Sequence, residues 1–337
     1  MNRLHLIIYI ALLTALPLSA QSLKDDLVQN TSFGGYAISK FEATTNDDAA
    51  KQVDMSLRLL RLYVDSRLGD FAMKVQMQLN GNTSGINGPR LVDAWVEWQH
   101  WKEMRVKVGQ FKRPFTFENP MHPWLLGRGD YAQVTKRLAG FNDRAGEHAS
   151  NGRDFGFQLQ GDLFKSQHDG HRWLHYQAGI FTGQGINFSD RNTRKDVIGG
   201  LWVAPIKELQ IGTFAWTGNY VDNNNQTHER RRFAIGANYN GRWTARAEFA
   251  ADNANGKADG WYAIVGTPSW KRTRLFAHYD VYREAKSWTQ SKNLYGLSLQ
   301  HTPHMNLMLQ ANWAFADDRA AADRHYHNAD IQIYWRF

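Results

Sequence analysis

The apolar residues of this chain alternate with more polar ones from residue 32 to the C-terminus, instead of recurring every three or four positions. Near the C-terminus, for example, single residues separate Ile331, Ile333, Trp335 and Phe337. A period of two predicts β-strands with one apolar face. Sixteen such segments follow one another, near residues 32–41, 54–67, 70–80, 90–100, 103–110, 153–163, 172–181, 195–204, 207–217, 230–240, 243–253, 259–267, 272–283, 293–301, 304–315 and 325–337.

The connections between these segments are short and long in turn, with two exceptions, a longer turn at 164–171 and a short loop at 254–258. Tight ones such as 68–69 and 241–242 follow even-numbered segments, and long polar ones such as 42–53 follow odd-numbered segments. In an up-and-down barrel this order places the short turns and both termini at one rim and the long loops at the other. We therefore predict an all-β fold, a 16-stranded antiparallel transmembrane β-barrel with long extracellular loops and short periplasmic turns. A soluble sandwich of that many strands would be unusually large.

The first 20 residues have the features of a secretory signal peptide. Arg3 is basic, residues 6–16 are apolar, and Leu18-Ser19-Ala20 precedes a plausible cleavage point. The apolar run is too short to span a bilayer as a helix. We therefore predict a signal peptide over 1–20, export to the outer membrane of a Gram-negative bacterium, and a barrel over 21–337.

Composition narrows the chemistry further. The chain has no cysteine, which excludes disulfides and zinc-thiolate sites. Its formal net charge of +8 favours an anionic partner. Nucleic acid is not expected for an exported protein, so small anions and lipid headgroups remain.

Many basic residues fall on the polar face of the predicted strands. An Arg or Lys that faces lipid at the bilayer midplane costs about 2–4 kcal/mol, so we expect these residues to face the lumen. The alternative for each is pairing with a lumen acid such as Asp93 or Glu97, or a place at the rim. The candidates for an anion path, from strands and from the longest loop, are Arg58, Lys74, Arg105, Lys107, Lys112, Arg113, Arg128, Arg137, Arg232 and Arg246.

The connection over residues 111–152 is far longer than ordinary loops, which usually means a function or disorder. It contains six basic and four acidic side chains, and apolar residues such as Phe115 and Trp124 that are able to pack against a barrel wall. We predict that this segment folds into the lumen as a constriction. The alternative is an exposed surface loop.

A stretch in the middle of the chain resembles a known family. Residues 106–115, VKVGQFKRPF, followed by Glu118-Asn119, resemble the strand-to-loop signature of the phosphate-selective porin O and P family. Residues 152–161, GRDFGFQLQG, and 93–97, DAWVE, are similar to the strands on either side of that signature. The resemblance covers about residues 90–163. It implies a trimeric outer-membrane channel for anions such as phosphate, in contact with outer-membrane lipid and lipopolysaccharide, with the third long loop as a constriction.

We therefore predict a channel for the passive diffusion of small anions, with phosphate or related oxyanions as the substrates. The alternatives are a general porin of low selectivity, a channel for sugar acids, or a scaffold for a surface partner. An enzyme is not predicted, because no Ser-His-Asp or paired-carboxylate spacing singles out a site. No cofactor or metal is predicted either, and we interpret His325 and His327 as residues of the extracellular rim.

Overall fold

A computed structural model describes residues 29–80, 88–254 and 256–337. The signal peptide predicted over 1–20 lies outside the described residues. Each of the sixteen predicted segments corresponds to a strand. The strands are β1 (Thr31–Thr44), β2 (Val53–Leu68), β3 (Phe71–Gln78), β4 (Arg90–Trp98), β5 (Arg105–Lys112), β6 (Arg153–Lys165), β7 (Arg172–Phe181), β8 (Asp196–Ile206), β9 (Leu209–Val221), β10 (Thr227–Asn240), β11 (Thr244–Asp252), β12 (Ala258–Gly266), β13 (Thr273–Glu284), β14 (Ser291–His304), β15 (Leu307–Asp318) and β16 (His325–Arg336).

The sheet closes on itself. Every strand pairs with its neighbours in sequence, and β1 pairs antiparallel with β16 from Tyr36 opposite Arg336 to Thr44 opposite Asn328. Closure removes the unpaired edges of an open sheet, so the backbone polar groups of the strands are satisfied within the barrel. The prediction of a 16-stranded antiparallel barrel is confirmed.

Alternate side chains of each strand face opposite environments. Ile235 and Leu297 are 53% and 48% exposed, whereas Ala234 and Ser298, the adjacent residues on the same strands, are buried. Large apolar residues on the outer face and polar ones within are the reverse of a soluble protein and are typical of a barrel in lipid.

Aromatic side chains lie on the outer face near both ends of the strands. Trp243 and Trp335 are exposed at the rim of short turns. Near the other rim, Trp261 contacts Tyr279, with ring centroids 4.6 Å apart. Such belts mark the two membrane interfaces of transmembrane barrels.

The connections also follow the predicted order, with one difference. The polar stretch 218–229, predicted as a loop, is mostly strand, because β9 and β10 continue to pair as far as Val221 opposite Thr227. Only 222–226 connects them. The ladder continues past the apolar belt because backbone pairing does not require alternating side chains.

The short helices lie in connecting segments. A six-residue helix, α1 (Gln133–Leu138), and a 3-10 turn at Pro123–Leu125 belong to the long segment between β5 and β6. Another 3-10 turn, Trp288–Gln290, precedes β14. No helix in the described residues is long and apolar enough to cross a membrane, a finding that does not concern spanning by strands.

Two local irregularities shape the inner wall. In β2 the register shifts so that Ile38 is opposite Leu59 and Ser39 is opposite Leu57, which leaves Arg58 as the extra residue of a β-bulge. In β5, Gly109 has φ +128°, and a Cβ atom there would lie 2.2 Å from the carbonyl oxygen of Ala94. Only glycine fits this close approach of β5 to β4.

Candidate functional site

The segment 113–152, called here the inner loop, leaves β5 and returns to β6 through a clamp at its two ends. The Asn119 side chain donates to the carbonyl oxygens of Arg113 (2.9 Å) and Gly152 (3.1 Å). The amide of Arg113 also donates to the Gly152 carbonyl (2.9 Å). Gly152 has φ +72°, and a Cβ atom there would come within 1.9 Å of Asn119 Oδ1. Asn119 and Gly152 therefore fix the base of the loop together.

Buried ion pairs hold one end of the inner loop against β10. Arg232 donates to both carboxylate oxygens of Asp143 (2.6 and 2.8 Å) and to Asp252 (2.9 Å). Arg230 pairs with Glu147 of the loop. Arg113 pairs with the same Glu147 (3.0 Å) and with Asp154 (3.1 Å).

The three guanidinium groups of this anchor surround one indole ring. Arg113, Arg230 and Arg232 lie 4.8, 5.1 and 4.6 Å from the centroid of Trp216, which is 1% exposed. Removing charges from water is unfavourable unless each is paired and hydrogen-bonded. The paired carboxylates and the ring face together provide that environment.

A second anchor binds the middle of the loop to β11–β13. Glu248 of β11 accepts from the backbone amides of Phe117 (2.5 Å) and Glu118 (2.8 Å). Arg128 pairs with Glu118 (2.5 Å) and with Asp280 of β13 (3.4 Å). The inner loop is therefore attached to the inner wall from β10 to β13.

Apolar side chains fill the space between the loop and this wall. They belong to one buried cluster, which includes Phe115, Phe117, Val134 and Leu138 of the loop and Tyr262 of β12. Phe117 packs edge to face against Phe214, with ring centroids 5.0 Å apart. Burial of these residues adds hydrophobic stabilisation to the ion pairs.

Several cavities border the remaining sides of the loop. One of about 600 Å³ lies against β1 and β13–β16 and is lined by four basic and five acidic residues. Two others lie beside the first strands, and one of these extends along the wall as far as β10. The turn-side cavity, about 430 Å³, extends toward the short turns, and the loop-side cavity, about 410 Å³, extends toward the long loops. They share four lining residues, which are Arg61, Lys112, Pro123 and Tyr131. These four residues define the junction between the two cavities.

The two cations at the junction have neutral partners. Arg61 donates to Gln78 Oε1 (3.0 Å) and to the Tyr36 hydroxyl (3.0 Å). The ammonium of Lys112 lies 4.3 Å from the ring centroid of Phe141 and 5.1 Å from that of Tyr131. Within the described residues, neither cation forms an ion pair with a carboxylate. Lys112 and Arg61 therefore reach the junction without a carboxylate at ion-pair distance.

Comparison with known families identifies the chain. The sequence profile described as "Phosphate-selective porin O and P" matches residues 34–288. The chain belongs to this family. Family membership and the closed barrel place this porin in the outer membrane of a Gram-negative bacterium. The family and the fold are those of channels rather than of enzymes. A search of the curated proteins found none that matches.

Several solved structures share the fold. The anion-selective porin from Comamonas acidovorans superposes with a TM-score of 0.69 at 15% identity, over 91% of this chain and 99% of that one. The outer-membrane channel DcaP of Acinetobacter baumannii gives 0.59 at 11% identity, over 91% and 97%. OprB of Pseudomonas putida gives 0.61 at 10% identity, over 94% and 96%. At these identities the likeness concerns the fold alone.

The ten predicted path residues of this porin divide into three groups. Arg113, Arg128, Arg232 and Arg246 are buried in the anchors; Arg246 donates to the Leu126 carbonyl (3.0 Å). Arg105 pairs with Asp162 (2.5 Å) near the short turns, and Arg137 lies on α1 with its guanidinium 5.5 Å from the Tyr282 ring. Outside the anchors, the predicted residues that line the two cavities are Arg58, Lys74, Lys107 and Lys112; Arg113 of the anchor also lines the turn-side cavity.

Three of the four cavity-lining candidates have acidic partners. Arg58 pairs with Asp130 (2.8 Å). Lys74 pairs with Asp65 (2.8 Å), and Lys107 lies 3.7 Å from Glu97. Their charges are therefore partly compensated by short ion pairs, which Lys112 does not form in the described residues.

Four basic cavity residues are absent from the predicted set, namely Lys40 and Lys136 in the loop-side cavity, Arg153 in the turn-side cavity and Arg61 in both. Arg61 lies on the inward face of β2, and Arg153, at the start of β6, binds Asp93 through two hydrogen bonds (2.8 and 2.9 Å). Strand parity gives the signal for Arg61, which is next to the outward-facing Leu62. It gives none for Arg153, because Phe155, two residues further on, faces outward. Strand parity does not predict which of the inward-facing cations lacks an acidic partner.

The pKa values of two histidines in the inner loop are lowered by their buried position. Burial, together with the charge of Arg61, lowers the pKa of His122 to about 4. Its Nδ1 accepts from the backbone amide of Trp124 (3.2 Å), which the neutral ring allows. Burial likewise lowers the pKa of His148 to about 4. At neutral pH both imidazoles are uncharged, so the positive charge near the junction comes from Arg and Lys.

The part of the chain that the structure describes contains no cluster of metal-binding side chains. No group of three or more His, Asp or Glu side chains is arranged there to hold a metal ion. The chemistry available in the lumen is therefore that of fixed charges, amides and aromatic rings.

Proposed function

We propose that this porin is a passive channel for small anions, phosphate among them, which pass between the inner loop and the barrel wall through the turn-side and loop-side cavities. The observation that carries the proposal is the charge of these two adjacent cavities. Six basic residues and one acid, Asp93, line the turn-side cavity. Five basic residues and two acids, Glu42 and Asp130, line the loop-side cavity. Fixed positive charge along a narrow path raises the local concentration of anions.

The residues have different roles in this proposal. Lys112 and Arg61 form the principal anion site, because both line both cavities and neither has a carboxylate at ion-pair distance in the described residues. Lys74, Lys107 and Arg58 form weaker sites on either side. Conduction requires several sites that bind an ion and also release it. The buried arginines of the anchors hold the inner loop as a constriction and do not contact the ions.

Three further features belong to the same proposal. Residues 1–20 direct export and are removed. The outer apolar belt contacts outer-membrane lipid, including lipopolysaccharide. A homotrimer is supported by a similar structure, with a TM-score of 0.60, that is described as a trimer form of Vibrio cholerae OmpT.

Planar-bilayer recordings test the proposal. Under a KCl gradient the reversal potential should have the sign of an anion-selective channel, and added phosphate should reduce the chloride current. Lys112→Gln should lower the anion preference about fivefold, because two unit charges 4 Å apart in water interact by about 1 kcal/mol. The control is Lys207→Gln, which removes the same charge from the short turn between β8 and β9, outside both cavities.

The outcomes separate the candidate functions. Cation selectivity, or equal selectivity in the Lys112→Gln variant and the wild type, would refute the proposed path. Anion preference without competition by phosphate would favour a general porin of low selectivity.

A further inference from the structure

The turn-side cavity contains a row of side-chain amides beside its positive charge. Gln158 and Gln160 of β6, Gln177 of β7, Gln210 of β9 and Asn238 of β10 line it. The register places Gln160 beside Gln177 and Gln210 beside Asn238, so the amides follow the inner wall. An amide offers both donors and an acceptor, as a hydroxyl group does. Ionised phosphate is mainly an acceptor and does not need such a surface.

One of these amides has a buried oxygen atom that accepts no hydrogen bond. Gln158 is 4% exposed, and its Oε1 atom accepts no hydrogen bond from the described residues. Its amide nitrogen is already used, since it donates to Gln160 (2.8 Å). An unpaired buried acceptor is unfavourable, and a hydroxyl donor bound in the cavity would satisfy it.

Aromatic rings line the same cavity. Trp95 and Trp202 are half-buried there, and the Lys107 ammonium lies 4.4 Å from the centroid of Trp95. The His175 ring stacks on Trp202 at a centroid distance of 3.8 Å, which fixes the orientation of the indole. Indole rings provide large, rigid contact surfaces for the apolar face of a ligand. Ring surfaces, amides and cations therefore occur together in one space.

The size of the cavity fits a ligand larger than an inorganic ion. Its volume of about 430 Å³ lies within the range of roughly 300–1,000 Å³ typical of sites that enclose small organic molecules. The cations at the junction, Lys112 and Arg61, lie at one part of its lining, and the amides of β6–β10 lie at another.

We propose that the turn-side cavity binds an anion with a hydroxyl-rich body, of which a hexose phosphate is the simplest example. The phosphate group binds near Lys112 and Arg61, and the sugar contacts Trp95 and the amides that include Gln158. This inference rests on the proposed anion channel and adds the class of substrate.

The test uses the full-length porin in planar bilayers. Block of the chloride current is measured with glucose 6-phosphate, inorganic phosphate and glucose as separate additions. Glucose 6-phosphate should block at a concentration about tenfold below that of inorganic phosphate, the effect of one or two added hydrogen bonds. Glucose alone should not block at these concentrations, because it lacks the charged group.

Substitutions identify the contacts. Gln158→Met and Trp95→Leu should each narrow the ratio between the two blocking concentrations. The matched control is Gln310→Met, which replaces an equally buried amide on β15, outside this cavity. There the ratio should stay at the wild-type value.

The failures of the two proposals are distinguishable. A channel without anion preference in the KCl gradient would overturn the proposed function. An anion-selective channel blocked equally by glucose 6-phosphate and inorganic phosphate would overturn only this inference. So would an unchanged ratio in both Gln158→Met and Trp95→Leu.

Discussion

Replacing Arg232 with methionine tests whether the buried anchor keeps the inner loop in place. Arg232 is fully buried and makes four hydrogen bonds, two to Asp143, one to Asp252 and one to the Leu138 carbonyl (2.8 Å). Methionine keeps an apolar stem of similar length and removes the charge. Asp143 and Asp252 are then left without their principal cation.

The expected loss follows from this burial. Removing one partner of a buried ion pair costs about 3–5 kcal/mol, because the remaining charge stays unpaired in a low-dielectric site. At 1.4 kcal/mol per factor of ten, the ratio of docked to released loop falls by about a hundredfold to several thousandfold. The contacts of Arg128, Glu248 and the Arg113–Glu147 pair remain, so we expect frequent opening of the loop and not its permanent release.

Single-channel recording and limited trypsin digestion measure this opening. Arg232→Met should show larger, fluctuating conductance, and trypsin should cleave after Lys136, Arg137 or Arg144 of the inner loop. The circular dichroism of the strands should not change, since the barrel ladder is intact. Arg231→Met is the control, because its side chain is 71% exposed on the opposite face of the same strand. Equal conductance and protease resistance in the two variants would refute the anchoring role.

Two further predictions concern the barrel wall and the titration of the loop. Gly109→Ala should reduce the yield of refolded barrel and the temperature of its heat-induced shift on SDS gels, because the added Cβ would lie 2.2 Å from the Ala94 carbonyl; wild-type values would contradict this reasoning. His122 has its pKa lowered to about 4, so the docked loop should lose stability as the pH falls from 6.5 toward 4, where a released imidazole takes up a proton that the docked one resists. His122→Gln should remove that part of the acid-induced gating, and an identical pH profile in the variant would argue against it.

The barrel was predictable because lipid imposes a simple rule on every strand. Residues such as Ile235 and Leu297 face hydrocarbon while their neighbours face the interior, so a period of two marks each crossing. Outside the membrane, strands no longer need to alternate apolar and polar residues. For that reason the pairing of β9 and β10 beyond the belt was missed, since their polar ends carry no alternating pattern.

The inner face was predictable in direction but not in pairing. Strand parity placed Lys74, Lys107 and Arg232 on the inner wall. It did not identify Asp143 as the partner of Arg232, because that carboxylate comes from a loop that is remote in sequence and folds back onto β10. Arg61 was not selected as a site residue for the same reason, because its significance depends on the absence of an acidic partner in the described residues.

Arginine and lysine have different roles in the lumen because their side chains differ in geometry. The planar fork of arginine binds two carboxylates at once, as Arg113 and Arg232 do, which keeps the anchor rigid and electrically compensated. Lysine is a point charge on a flexible stem and suits a site from which an ion is readily released, as proposed for Lys112. Arg61 departs from this rule because its partners, Gln78 and Tyr36, are neutral. The selectivity of the channel should therefore depend on the few cations left unpaired at the junction, and not on the net charge of +8.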